Sequence, residues 1–377
     1  MDATSAAMAP KKRQDAAPDS TEAPMRMHGA SDPLAIARKV EAMCAFCYKK
    51  DSPEKLKRCS RCLLRRYCSP ECQKLDWGKS GQWHQTFCTL CGEEGDSWEV
   101  RYISDAVGFG VFATKPFAAG QRIMVERAIP VERLLSESRG VGTALLDAVM
   151  DLAPSSAGSL MQKLNTNAIS LGPSGPSTPG GICVRMSRVN HRCDSNADHY
   201  FIRHTGRTNG VCALFATQAI RANEQILIDY TGRLSPGHTI EEHASRLLVQ
   251  YGITCTPECA CKSDVYKKNI RRANELDASI IALGSQGEGR QALKAAKELL
   301  ALYDEMDGVS MGAYKRTYYD AFQVAVMSRC TIAEASGFIK SARAMDLLMA
   351  GYDTEDGLRF RDLIADPSCH RNYMMGR

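Results

Sequence analysis

The feature that most restricts how this chain can fold is a run of paired cysteines: 44-CAFC-47, 59-CSRC-62, 68-CSPEC-72 and 84-HQTFC-88. Each pair is two or three residues apart, so one turn can deliver two ligands to one Zn²⁺, at about 2.3 Å for each thiolate. A closed tetrahedral site takes four protein ligands, so seven Cys and one His fill two sites. Such closed sites hold a fold together and leave no open position for a reaction. Of the 16 cysteines in 377 residues, eight fall within residues 44–91, and Cys91 fits neither ligand set by spacing. Disulfides are the other use of such pairs. The first residues are rich in Ala, Pro and Lys with no apolar core of a secretory signal. No apolar run approaches the ~18 residues of a membrane span. The chain is therefore expected in the nucleus and/or cytoplasm, without a membrane partner, where thiols stay reduced and metal is the better use of cysteine.

The rest of the chain divides by pattern. Residues 1–43 form an N-terminal segment, disordered over 1–33 by composition, with 34-LAIARKVEAM-43 patterned as a short lead-in helix. Pro10-Lys11-Lys12-Arg13 reads as a solvated charge run before it reads as a nuclear import signal. Residues 44–92 are the cysteine-rich segment. Over 99–232 short segments rich in Val, Ile, Phe and Tyr alternate with Gly, Asn and Asp, the pattern of strands. These are 111-VFAT-114, 122-RIMVERAIPV-131, 199-HYFIRH-204, 211-VCALFATQAI-220 and 225-QILIDY-230. A helical insertion spans about 136–180, with Leu145, Leu146, Val149 and Leu152 at helical spacing over 142–164 and a Gly/Pro loop at 172–181. Residues 233–262 carry a second cysteine cluster, and 263–377 are helical. The similar runs 291–308 and 342–357, with the amphipathic 318–327 between them, fit either stacked helical hairpins or an ordinary bundle.

In 186-MSRVNHRCDSNADHYF-201, Asn190, His191, Cys193, Asp194 and Asn196 fall close together. Cys255, Cys259 and Cys261 in 251-YGITCTPECAC-261 lack a fourth ligand, and Cys193 is the natural candidate. A cysteine so occupied is not a nucleophile.

The cysteine segment resembles the MYND zinc finger over about 45 residues, with 67-YCSPECQKLDW-77 an especially close stretch. The resemblance implies interleaved pairing, with Cys44, Cys47, Cys68 and Cys72 at one zinc and Cys59, Cys62, His84 and Cys88 at the other. From Val100 to Lys262 the chain looks like a SET-domain protein lysine methyltransferase of the SET-and-MYND type. Four motifs agree in order: 108-GFGVFATKPFAAGQRI-123, 190-NHRCDSNA-197, 224-EQILIDY-230 and the Cys255–Cys261 cluster, similar to a post-SET zinc site. The fold implied is α+β: a mostly-β SET domain, preceded by a small zinc-bound finger and followed by an α-helical, repeat-like domain.

The resemblance further implies an enzyme that uses S-adenosylmethionine and holds two zinc ions in the finger and one in the post-SET segment. Gly108, Phe109, Gly110, Asn167, Asn190, His191, Tyr230 and Ile253 match cofactor-contacting positions, and Tyr230 matches the catalytic tyrosine. Cys193, Cys255, Cys259 and Cys261 would hold the third zinc. His191 as a general base is a weaker option, since nothing near it in sequence orients it. Departures from the family pattern are Ile169 and Ile253 where aromatics are common, and the charged Arg185 in a usually apolar run, near the cofactor or facing solvent. The finger precedes the glycine motif instead of interrupting the domain, so it is expected as an N-terminal appendage able to move relative to the body.

The expected partner is a lysine-bearing protein, histone or non-histone, with the chain a monomer. Gln73 and Trp77 match residues with which such fingers bind proline-rich peptides, although Trp77 could equally just cover the zinc core. Residues 44–92 carry ten Lys/Arg against four Asp/Glu, and zinc-bound thiolates reduce that excess to about +3. Nucleic-acid contact is thus compatible but not demanded. The competing readings are a non-catalytic scaffold binding proline-rich peptides and a regulator that uses the basic finger on nucleic acid.

Overall fold

The computed structural model describes residues 42–375, apart from 53, 62–64, 78–83, 89–95, 105–106, 137–142, 153–158, 172–179, 204–209, 233–238, 330 and 351–353. The chain divides into Met1–Arg38 and Lys39–Arg377, and every described residue belongs to the second unit. The Lys11–Arg13 cluster, Cys62, Cys91 and most of the 172–181 loop lie outside the described residues. So does residues 34–41 of the expected lead-in helix, and its last two residues differ from expectation. Ala42–Met43 is a strand, paired antiparallel with Lys50–Asp51, and Met43 is buried.

The finger adds a second small hairpin, Lys57–Arg58 against Arg66–Tyr67, and the helices Pro70–Trp77 and His84–Phe87. Pro70 suits the first helical position, where its missing N–H costs nothing, and Ser69 Oγ accepts the Cys72 amide. With so few apolar residues the finger's centre is largely its cysteines, Tyr67 and Trp77.

The central domain is built mostly of antiparallel strands. A hairpin joins Trp98–Ser104 to Gly108–Ala113. A five-stranded sheet runs in the order Ala197–Arg203, Gly210–Ala216, Arg122–Pro130, Gly180–Ile182, Ile169–Ser170. Its second strand, 210-GVCALFA-216, is buried at every position, as a continuous apolar run between two packed faces requires. Ile123, Val111, Leu214, Ile226 and Trp98 make the core on one face. The expected helix over 142–164 is two helices, Thr143–Met150 and Leu160–Asn167. The intervening 153–158 holds Pro154, which cannot continue a helix, and Ser159 with Gln162 forms a capping box that starts the second.

After Ile240–Tyr251, five α-helices follow among the described residues: Asp264–Ser285, Gly289–Glu305, Met311–Ala325, Ile332–Ala350 and Glu355–Ala365. Each packs on the next in series around Leu276, Ala296, Leu299, Phe322 and Ile339, closer to stacked hairpins than to a closed bundle. This helical region docks on the sheet. Arg122 donates to the carbonyl of Met349 at 2.9 Å, and Met349 packs on Phe215.

The finger is not the loosely attached appendage its position suggests. Arg65 is 4% exposed, donates to Val125 O of the central sheet at 3.1 Å and pairs with buried Asp76 at 2.7 Å. Arg185 neither lines a cofactor pocket nor faces solvent. It is buried, donates to Met43 O at 2.9 Å and lies over the Tyr48 ring. The carboxylate of Glu126 holds this corner by accepting the amides of Arg185 and Met186 at 2.9–3.1 Å.

Candidate active site and metal centres

The finger cysteines converge on two clusters. Cys44, Cys47, Cys68 and Cys72 place all four sulfurs within 4.8 Å of one another, as do the ligand atoms of Cys59, His84 and Cys88. A tetrahedron with Zn–S bonds of about 2.3 Å has S···S edges of about 3.8 Å. The measured separations are 3.4 Å for Cys47–Cys68, 3.5 Å for Cys68–Cys72 and 3.8 Å for Cys59–Cys88. The donors suit the ion chemically as well. Burial and the nearby Arg65 push His84 down to about 3, so it is a neutral imidazole, the form that ligates. Cys44 is pulled down to about 4 by its hydrogen bond with Cys47, while Cys47 itself is pushed up. So close a set of thiols cannot ionise together without a cation among them.

A third cluster lies beside the central domain. Cys193, Cys255, Cys259 and Cys261 bring their sulfurs within 4.8 Å, with 3.7 Å between Cys193 and Cys255 and 3.5 Å between Cys259 and Cys261. The Ile240–Tyr251 helix delivers three of them. Gly252, at φ +68°, takes the left-handed conformation that ends the helix with bonds to Leu247 O and Leu248 O. The chain then turns so that Ile253 and Cys255 pack with Leu247 and Cys193.

The sequence motifs meet where two chain segments cross. Asn190–His191 pairs in parallel with Leu227–Ile228, which sets Tyr230 beside His191. The Tyr230 amide donates to His191 Nδ1 at 3.2 Å, and the Tyr230 hydroxyl donates to Val189 O at 2.7 Å. The rings of His191 and Tyr230 are 5.4 Å apart. This supplies the orientation of His191 that its sequence neighbours do not. Asn190 Nδ2 donates to Phe109 O at 3.1 Å, which joins the glycine motif to the same corner. The corner leaves no room for a side chain at Gly110. A Cβ there would stand 2.9 Å from Asn190 Nδ2, 2.7 Å from Ile103 Cδ1 and 2.5 Å from Gln225 Nε2. Gly108, at φ +75°, needs glycine for a different reason, since few L-residues adopt that backbone. A Cβ at Gly108 would meet nothing within 4 Å, so there the glycine motif leaves open space in which a ligand such as S-adenosylmethionine could approach the backbone.

Phe109, Ile169 and Tyr230 are half-buried against one core, and Tyr230 packs with Tyr251 and Ile253 against a second, so Tyr230 joins the two. Asn167 stands apart. It ends its helix buried, with Nδ2 turned back to Lys163 O at 2.8 Å and its carbonyl accepting Ser187 Oγ at 3.4 Å. It reaches the Asn190 segment through Ser187. Sequence reasoning missed two residues. The Tyr251 ring lies 4.8 Å from that of Tyr230, and His243 reaches Cys193 Sγ at 3.1 Å. His243, Leu247 and Tyr251 recur every four residues on one helix face. A histidine on that apolar stripe was the available signal.

Burial, with Tyr251 adding, raises the Tyr230 phenol well above its ordinary value, so it stays protonated near neutrality. It is a hydrogen-bonding group here and not a phenolate base. On the finger, Arg61, Pro70, Gln73, Lys74 and Trp77 line a cavity of about 320 Å³. Trp77 covers the His84 side of the finger and also faces outward. It packs edge-on against His84 at 5.6 Å and gives a wall to that cavity.

Comparison with known families agrees with this geometry. The SET domain model matches residues 108–231 and the MYND finger model residues 44–88. The histone-lysine N-methyltransferase set5 of Schizosaccharomyces pombe is 24% identical over 286 residues, which cover 70% of this chain and 82% of that protein. The N-lysine methyltransferase SMYD2 is 27% identical in Sus scrofa and 26% in Homo sapiens, each over 62% of this chain and 54% of the relative. The matched region thus spans about half the length of the SMYD2 relatives. A solved structure from Plasmodium falciparum matches 36% of this chain at 16% identity with a TM-score of 0.22, too low to bear on the fold. Fold and site together define a SET-domain protein carrying an N-terminal MYND finger. In this pairing of domains the chain is similar to the SET and MYND domain lysine methyltransferases.

Proposed function

We propose that this chain transfers a methyl group from S-adenosylmethionine to the side-chain amine of lysine in a protein substrate. The observation that carries this reading is the crossing of Asn190–His191 with the Leu227–Tyr230 segment beside Gly110. S-adenosylmethionine, when bound, supplies a methyl already activated on a sulfonium. The chain then has three tasks. It must orient, exclude water, and admit lysine as the neutral amine, since an ammonium has no lone pair. With a reference pKa near 10.4, holding that amine neutral at pH 7 costs about 4.6 kcal/mol. The apolar corner of Tyr230, Tyr251 and Ile253 lowers that cost, because desolvation disfavours the charged form. The Tyr230 hydroxyl gives its proton to Val189 O, which leaves its oxygen lone pairs to accept from the incoming amine. Holding amine and methyl in line can remove ~7–11 kcal/mol of barrier. Ile253 gives this corner an aliphatic wall.

The finger and post-SET segments are read as holding three zinc ions, with Cys62 completing the Cys59, His84, Cys88 set. The cavity at Trp77 is read as a site for an extended proline-rich peptide, whose flat rings suit an indole wall and whose preformed shape costs little entropy. That feature also favours a second role, recruitment of partners by the finger, alongside catalysis. A methyl-transfer screen with labelled S-adenosylmethionine against a protein array tests the main reading. It expects label on lysine with wild-type protein and none with Tyr230→Phe. Label that the Tyr230 variant deposits equally well would overturn it.

A further inference from the structure

His243 belongs neither to the four-cysteine cluster nor to the Asn190–Tyr230 corner, yet it is 4% exposed and lies between them. A capping box from Thr239 and Glu242 fixes the start of its helix. From there His243 Nε2 stands 3.1 Å from Cys193 Sγ, and its Nδ1 is hydrogen-bonded with Thr231 Oγ1. Thr231 directly follows Tyr230, and its amide donates to Asp229 Oδ1 at 3.1 Å. His191 approaches the same sulfur from another side, Nε2 to Sγ at 3.4 Å, with the two imidazole centroids 5.8 Å apart.

These contacts place a hydrogen on the nitrogen that faces the sulfur in both rings. A zinc-bound cysteine is a thiolate, which accepts and cannot donate. The imidazole nitrogen facing it must therefore carry a hydrogen, or two lone pairs would meet. His243 thus carries a hydrogen at Nε2, while its Nδ1 meets the Thr231 hydroxyl, which itself donates to Asp229 Oδ1 at 3.1 Å. For His191 the same answer comes from its other side. The Tyr230 backbone N–H can only donate to Nδ1, which leaves the hydrogen on Nε2, toward Cys193.

We propose that His243 is a positioning residue of this metal centre: its Nε2–H hydrogen-bonds the Cys193 thiolate, and through Thr231 it ties that sulfur to the Tyr230 segment. The inference rests on reading Cys193, Cys255, Cys259 and Cys261 as a zinc site. Four thiolates around one Zn²⁺ carry a net double negative charge, and N–H donors to sulfur disperse it. Cys193 is the corner that matters most for function. It is the one ligand that comes from the Asn190–Asn196 motif, while the other three come from the segment after the Ile240–Tyr251 helix. The metal's hold on the pocket wall therefore passes through Cys193, and His243 braces it.

The test is zinc release from the full-length protein into excess chelator, read with a zinc-sensitive dye. The phase belonging to this centre is the one that Cys259→Ser removes. Three variants divide hydrogen bonding from packing. His243→Gln can set an amide N–H where Nε2–H stands, His243→Asn reaches only the Nδ1 position, and His243→Leu fills space without a donor. The Leu and Asn variants are expected to release this zinc at least about 10-fold faster, and Gln to stay within about threefold of wild type. In cobalt-substituted protein, Leu should shift the thiolate-to-metal charge-transfer band and Gln should restore it. Wild-type release with Leu, or release with Gln as fast as with Leu, overturns the proposal. Should the Leu variant not fold, Thr231→Val removes the hydroxyl that links Nδ1 to Asp229 at constant shape. It should speed release by about threefold or more, and an unchanged rate overturns the proposal. A wild-type protein with no phase that Cys259→Ser removes overturns the zinc reading and the proposal with it. An intact phase indifferent to His243 overturns the proposal alone.

Discussion

The amide of Tyr230 donates to Nδ1 of His191 at 3.2 Å, across 39 residues of chain. That one bond orients an imidazole, fixes its tautomer and sets a phenol beside it. It also makes the wall that carries Asn190 and the segment that carries Tyr230 a single unit, so changes at either residue can be read separately for chemistry and for binding.

Tyr230→Phe removes a hydroxyl that donates to Val189 O and leaves the ring in place. Turnover should fall about 100-fold or more, as when an oriented donor or acceptor is removed from an active site. Affinity for S-adenosylmethionine should stay within about threefold and stability within about 1 kcal/mol, the net worth of one hydrogen bond. Steady-state kinetics and calorimetry check the split. Equal losses in turnover and cofactor affinity would make Tyr230 a binding residue.

Gly110→Ala places a methyl 2.9 Å from Asn190 Nδ2 and 2.5 Å from Gln225 Nε2. Both are ends of side chains and can move, so the fold should survive at a cost of about 1–3 kcal/mol. The Asn190 to Phe109 bond cannot survive unchanged. Cofactor affinity should drop at least about tenfold, or 1.4 kcal/mol, and calorimetric titration of the variant measures it.

Arg65→Ala strips the buried carboxylate of Asp76 of its cationic partner and breaks the bond to Val125 O. Burial already raises the Asp76 pKa, against the pull of Arg65. Leaving a buried charge without its partner costs about 3–5 kcal/mol. Because Arg65 and Arg185 join finger and sheet, the two should unfold in one transition in wild type, and chelation of zinc should lower its midpoint. Two separate denaturant transitions in wild-type protein would show that the finger stands alone.

Asp320 gives a pH dependence. Burial, helped by the like charge of Asp277, pushes its carboxyl up to about 6 against the pull of Arg316. The folded chain then binds a proton that the unfolded chain loses near pH 4, so this group makes stability fall as pH rises from about 4 to about 6. Asp320→Asn removes the penalty and keeps an acceptor for Gln323 Nε2, 2.9 Å away. It should stabilise by roughly 1–3 kcal/mol at pH 7 and by little at pH 4. Thermal unfolding at the two pH values decides it.

Local spacing made much of this structure legible. Cysteine pairs predict sulfur clusters because two ligands from one turn cannot lie far apart, and 210-GVCALFA-216 reads as a strand because it is apolar throughout. What stayed hidden depends on partners distant in sequence. Ala42–Met43 extends a helical-looking run yet pairs with Lys50–Asp51 as a strand. Arg185 looked like a charge out of place because Glu126 and Met43 O, which receive it, lie 59 and 142 residues away. His191 seemed unoriented because its orienting donor sits on another strand. Tyr251 and His243 were visible as residues, but their roles required knowing that the helix end folds back onto Cys193.

Titration of S-adenosylmethionine into the zinc-loaded protein by calorimetry, with wild type and Asn190→Ala compared, tests the central claim most directly. The account predicts one saturable site per chain in wild type and at least about tenfold weaker binding in the variant. No detectable heat at millimolar ligand, or binding that Asn190→Ala leaves untouched, would contradict it.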